Sequence, residues 1–268
     1  MTTPTERQRI LAELHMLAVE DVVKLWRAAS GMDLESREFR ALIEQAYPEI
    51  PSRWGTAAAE FATQWYDESA PDLAYRATPA PLHPVEQYAA NANWALGAVG
   101  EAALDRLVAD LQWSMYDMAR STTAVNVEAE AGSRWVRYAS STACAFCRVL
   151  ATRSIAENPT YYRSEASATT VVGRGKEMSL SERRARARGE TRDSRHRFIA
   201  GGRRARGNRA LDSEGFHPRC HCVAVEVRPG RSYEPPAYVE QWLEDYKEAS
   251  GGDFSTTLSR MRANTGAK

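Results

Sequence analysis

Four cysteines are the residues of this chain best suited to chemistry, and they come as two tight pairs. Cys144 and Cys147 form C-x-x-C within "ACAFCRVLATRS"; Cys220 and Cys222 form C-x-C within "GFHPRCHCVAVEV". His217 stands three residues before Cys220, and His221 lies between the second pair. Zinc takes four thiolate or imidazole ligands in a tetrahedron, and two close pairs can supply them. Cys144, Cys147, Cys220 and Cys222 are the simplest set for one zinc ion; His217 in place of one of them gives a Cys3His set. Zinc ribbons and fingers usually separate their pairs by about a dozen or two residues, whereas 72 residues intervene here. Two disulfides and buried free thiols are the alternatives. A thioredoxin-like redox motif fits poorly, because no βαβ pattern surrounds the C-x-x-C. His217 with a cysteine could also make a base and a nucleophile, but that cysteine would then be lost as a ligand. Ligand, support of a ligand and base are thus all open roles for His217. No G-x-S-x-G and no H-E-x-x-H occurs. His15, His83 and His196 read as surface or helix residues.

The bulk of the chain narrows the setting. Its 268 residues allow one large domain or two ordinary ones, and 43% hydrophobic residues suffice for a real core. No apolar run is long enough to span a membrane. The start, "MTTPTERQRI", lacks the charged and apolar regions of a secretory signal. A reducing compartment is therefore expected, where paired thiols more often bind metal than form structural disulfides.

The elements that must position the cysteines follow from periodicity. The first 130 residues read as helices, with Ile10, Leu14, Leu17, Val22 and Leu25 near helical spacing in the first. Ser36 can cap a short second helix that Pro48 ends, and Pro51 suits the first turn of a third. "LHPVEQYAANANWALGAV" and "EAALDRLVADLQWSMYDMARS" follow, separated by Gly100. Six of the seven tryptophans lie in Met1–Trp135, where helical packing is the plain use for them. "RWVRYAS" and "CVAVEVRPG" alternate as strands, and "AFCRVLATR" between them reads as a short helix. Two more helices are expected after Pro235–Pro236. The expected fold class is α+β. A helical region, residues 1–130, precedes a small α+β region, 131–230, stapled by metal, and C-terminal helices with a tail fill 231–268.

The net charge is zero, but it is unevenly spread. Residues 173–210 hold 13 Lys/Arg against 4 Asp/Glu, a local +9 that leaves −9 for the remainder. Such a segment attracts phosphates through counterion release. Phe198 is its only aromatic residue, which argues for backbone contact with a duplex rather than stacking on single strands. The candidate nucleic-acid contacts are Arg183, Arg184, Arg186, Arg188, Arg192, Arg195, Arg197, Arg203, Arg204 and Arg206. A solvated loop, or a partner for the acidic remainder of the protein, is the other use for this charge. Ser179 and Glu182 can form a capping box, so the stretch to Gly201–Gly202 reads as a basic helix, or as a segment ordered only by an acidic partner.

"ACAFCRVLATRS", Tyr162 and Ser164, and then "FHPRCHCVAVEV" resemble the phage Mu F-like head morphogenesis family, minor head proteins of tailed bacteriophages. The family's hallmark is a His-x-x-Cys-x-Cys element before an apolar strand, here His217, Cys220 and Cys222. Relatives from phages of actinobacteria are similar in adding an upstream C-x-x-C, here Cys144 and Cys147. The resemblance covers Trp135–Arg228 by motif and the helical region in character only. Two departures stand out: His221 occupies a place where many members have Arg, and the basic stretch is longer and more charged. The resemblance implies a minor capsid protein inside the phage head, assembled in the host cytoplasm. Its implied partners are the portal protein, the major capsid protein or both, with packaged DNA meeting the basic insert and no membrane involved. Similar proteins are often labelled capsid maturation proteases. That is the alternative function, although the sequence presents no protease constellation.

Overall fold

The computed structural model describes residues 1–152, 191–192, 198–199, 219–251 and 254–267. Helix α1, Pro4–Ala29, starts from a full capping box: the Thr3 hydroxyl accepts from the Glu6 backbone N–H, and the Glu6 carboxylate accepts from the Thr3 N–H. Its core stripe is Leu11, Ala18, Val22 and Ala29. Ile10, Leu14 and Leu25 flank that stripe, whereas Leu17 faces solvent. Helix α2, Arg37–Ala46, is capped by Ser36 as expected and buries Phe39 and Ile43, four residues apart. Helix α3, Glu49–Ser69, takes Pro51 into its first turn, where no intrahelical donor is lost. Helix α4 spans Val85–Ala95.

The long helix α5, Glu101–Ala129, runs through the middle of this half. At Gly55 of α3 a side chain would meet Met118 Cγ of α5 at 3.1 Å, so the two helices approach closely there. Helix α5 continues two turns past the expected end near Ser121. The β-branched run "STTAV" argues against helix locally, but tertiary contacts override it. The Thr122 hydroxyl donates to Met118 O and accepts from Ala80 N–H, and Asn126 bridges to Thr78 through both its amide atoms.

Strand β1, Arg134–Tyr138, pairs antiparallel with β4, Val223–Val227, with Val136 opposite Val225. Helix α6, Ala145–Ala151, leaves β1 after a short turn. Helices α7, Tyr238–Ala249, and α8, Phe254–Thr265, close the chain. Alternation along the sheet serves two cores. Val136, Tyr138, Val223, Val225 and Val227 join the helical core, while Trp135, Ala139, Cys222 and Ala224 join a second core with α6, α7 and α8. The architecture is thus α+β, with a helical N-terminal region and a small two-stranded sheet.

Four residues of the stretch from Ser179 to Gly202, expected as a basic helix or as a segment ordered only by an acidic partner, are described, and they are strand rather than helix. β2, Thr191–Arg192, pairs antiparallel with β3, Phe198–Ile199, Thr191 opposite Ile199. Thr, Phe and Ile are strand formers. The remainder of 173–210 lies outside the described residues.

The tryptophans of the helical half mostly pack as expected: Trp26 meets Phe39 edge-on and Trp65 stacks on Phe61. Trp94 is the exception, 63% exposed beneath the Arg106 guanidinium.

Three helices are tied at one carboxylate. Asp110 of α5 accepts from the Tyr47 hydroxyl at the end of α2 (2.9 Å) and from the Asn91 amide of α4 (2.7 Å). Burial raises this carboxyl to about 6, against the lowering effect of both hydrogen bonds. An acid whose pKa rises on folding stabilises the protein below its unfolded value, near 3.8, and loses that contribution as pH climbs through 6. Asp110→Asn is therefore expected to lose stability relative to the parent as pH falls from 7.5 to 4.5, read as a widening Tm difference by calorimetry. A difference independent of pH over that range would refute this account of Asp110.

Candidate metal centre

The C-x-C pair leads directly into β4, and period-two alternation puts Cys220 and Cys222 on one side of the extended chain. The turn before them is held by Arg219 in the left-handed region, at φ 60°. The helical half then grips the backbone of this segment. The Arg120 guanidinium of α5 donates to Cys220 O (2.6 Å) and Cys222 O (2.8 Å), and the Gln8 amide of α1 donates to His221 O (2.7 Å). Arg120 itself is buried and lies over the Tyr116 ring. From the other side, Cys147 sits in the first turn of α6, and Cys144 is that helix's N-cap residue.

These elements bring three thiols together. The sulfurs of Cys147, Cys220 and Cys222 all lie within 4.8 Å of one another, and those of Cys147 and Cys220 are 3.4 Å apart. A tetrahedral ion with metal–sulfur bonds of about 2.3 Å needs sulfurs roughly 3.8 Å apart, so this spacing fits. All three residues are buried, at 1%, 4% and 3% exposure. Cys144 is half-buried, and its thiol is hydrogen-bonded to that of Cys147. No disulfide joins any of the four. Three buried thiols this close can hold a metal ion, and a soft, all-sulfur donor set suits zinc and its chemical neighbours.

The electrostatics point the same way. Hydrogen bonds from Cys147 and Cys222, aided by the positive charges of Arg120 and Arg137, pull the Cys220 thiol well below its usual range despite burial. Cys147 is pushed well above it, first by its hydrogen bonds to Cys144, Cys220 and Cys222 and then by burial. At Cys222 the bond to Cys147 pulls downward, but the bond to Cys220, burial and the Cys220 charge outweigh it and raise the thiol to about 12. Cys220 is thus the thiol of the three that gives up its proton most readily, and burial and neighbouring sulfurs hold Cys147 and Cys222 in the opposite direction. A dication supplies the charge that lets all of them ionise. The Arg137 guanidinium of β1 lies 3.8 Å from the Cys147 sulfur, ready to offset an anionic centre.

Of the five expected ligands, the structure gathers Cys147, Cys220 and Cys222 and sets Cys144 beside them; His217 lies outside the described residues. Of the ten arginines expected to meet nucleic acid, only the Arg192 backbone is described. Tyr162, Ser164 and His196 also lie outside. His15 is a half-buried residue of α1, its ring against Val108 O at 3.3 Å. His83 is not a helix residue and is only partly exposed: from the segment before α4 it bonds the buried Asp117 carboxylate at 2.8 Å and stacks on Trp113. Arg120, Arg137 and Gln8 were not legible as parts of a metal centre. The sequence signal for Arg120 is a cation amid the apolar positions of α5.

The thiols belong to the second core, and α1–α5 keep the first. Cys220→Ser is expected to speed amide exchange in α6, α7 and α8 at least tenfold, about 1.4 kcal/mol, while α1 and α3 stay protected. Hydrogen exchange read by mass spectrometry measures this. Unchanged protection in all of these helices would mean that the thiols do not stabilise their core.

A family model described as VG15 protein matches residues 2–177, two thirds of the chain. No curated protein and no solved structure matches it. Among the described residues no helix is long and apolar enough to cross a membrane.

Proposed function

Because the chain belongs to the VG15 protein family, a family of phage proteins, we propose that it is a minor capsid protein of a tailed bacteriophage, of the Mu F-like head morphogenesis kind. The family match carries the phage part of this reading; the minor capsid part rests on the resemblance of the spacing of His217, Cys220 and Cys222 to the Mu F-like element. In this reading the chain is built into the head in the host cytoplasm and stays inside the virion. The helical half docks on the portal or the major capsid protein, and one zinc ion occupies the thiol centre.

The protease alternative draws little from the site. A nucleophilic cysteine must reach a peptide carbonyl; of the four candidates Cys147, Cys220 and Cys222 are buried, which leaves the half-buried Cys144. Quantitative mass spectrometry of purified mature particles tests the assignment. The intact chain is expected at a few copies per portal ring. Its absence from particles whose capsid protein has been shortened would favour the protease instead.

The basic stretch 173–210 is the proposed DNA contact. Affinity for duplex DNA is expected to fall linearly with the logarithm of salt concentration. Changing Arg183, Arg184, Arg186 and Arg188 together to Gln should reduce that slope by about 3–4, close to 0.9 per lost phosphate contact. Fluorescence anisotropy at several salt concentrations reads the slope, and an unaltered slope would remove these four residues from the interface.

A further inference from the structure

Three thiols leave a tetrahedral ion one ligand short. We infer that Cys144 is the fourth ligand, so that four thiolates close the coordination shell and the ion is structural, with no position open for water or substrate. This rests on the zinc reading above and decides between the two ligand sets that the spacing allows.

The Cys144 thiol already contacts the Cys147 thiol. Cys144 is the N-cap residue of α6, with extended backbone at φ −65° and ψ 160°, and its side chain makes no capping bond. Its sulfur is not among the three that lie within 4.8 Å of one another, so ligation by Cys144 requires that sulfur to draw in towards Cys220 and Cys222 when the ion binds. The result is two ligands from the start of α6 and two from the approach to β4, each pair on a short rigid element.

Charge supports the same count. Four thiolates on a dication leave −2. Arg120 and Arg137 bring two positive charges to the centre: both act on Cys220, and both are buried. Three thiolates with a neutral imidazole would leave only −1 beside the same two guanidiniums. In a low-dielectric surrounding the better-neutralised arrangement is favoured. A shell of four protein ligands is also the mark of structural rather than catalytic zinc sites. The ligand pairs bracket residues 148–219, so the ion pins the point where the basic excursion departs to the point where it returns.

X-ray absorption spectroscopy of the full-length, zinc-loaded protein tests the inference without any mutation. The expected shell is four sulfurs at about 2.3 Å; three sulfurs with one nitrogen at about 2.0–2.1 Å would overturn it. Cobalt(II) loading of Cys144→Ser and His217→Ala then identifies the ligand. Thiolate-to-cobalt charge-transfer absorption is expected to fall by about a quarter, one thiolate of four, in Cys144→Ser and to be unchanged in His217→Ala. The reverse result would assign the place to His217. A full-length protein that takes up neither zinc nor cobalt, or that carries a Cys147–Cys220 disulfide when purified under reducing conditions, would instead defeat the zinc reading itself.

Discussion

Strand β4 is buried along its whole length in a sheet of only two strands, and most of the architecture answers to that constraint. A two-stranded sheet has no stability of its own in water, so both of its faces must be covered by something else. The helical core covers one and the α6–α8 core covers the other. Two side chains at its C-terminal end then bind it to the helices by forked ion pairs. Glu226 accepts from both terminal nitrogens of Arg7 in α1, at 2.7 and 2.8 Å. Arg228 grips Glu130 just past α5, and also donates to Tyr66 O and Ala70 O at the C-terminal end of α3. Burial alone would raise the Glu130 carboxyl, but its hydrogen bonds from Arg228, Ser133 and Tyr66 outweigh this and hold it below its usual range. Such pairs add little net stability over apolar packing, yet losing one partner costs about 3–5 kcal/mol. They specify one seating of β4 against the helices.

The thiol centre lies at the other end of the same strand, and its geometry inherits that seating. Cys220 and Cys222 are placed by β4 and by the hold of Arg120 on their carbonyls, Cys147 by α6, and Arg137 by β1. The ligands need little reorganisation to take an ion, because their backbones are already held by groups outside the centre. An ion in turn ties α6 to β4 at the point where the second core meets the sheet. A metal bound there and the fold would support each other, the usual relation in small domains whose cores are thin.

The proposed role in a phage head would be served by this division of labour. The helical half has its own core and does not include the thiols, so it can present a fixed surface to a large neighbour. The basic stretch is confined in sequence to the segment between the two cysteine pairs.

The helical half, both strands of the main sheet and α6 were legible in the sequence because each follows a local period: about four residues for helices, two for strands. The pairing of C-x-x-C with C-x-C was legible from ligand chemistry alone. Local reasoning failed wherever a distant contact decided the outcome. The last two turns of α5 are helical because Thr78, Ala80 and Met118 satisfy residues that would otherwise disfavour helix. His83 was misplaced because its partner, Asp117, lies 34 residues away. At Thr191–Arg192 and Phe198–Ile199 an expected helix gives way to two short strands paired with each other. The sequence by itself determined the helices of the N-terminal half, the main strands and which cysteines could ligate a metal, since propensity and ligand chemistry belong to single residues. Only the tertiary structure decided that Arg120 and Arg137 attend the thiols and that Arg7 and Glu130 anchor β4, because burying a charge is tolerable only where a partner from elsewhere in the chain arrives to meet it.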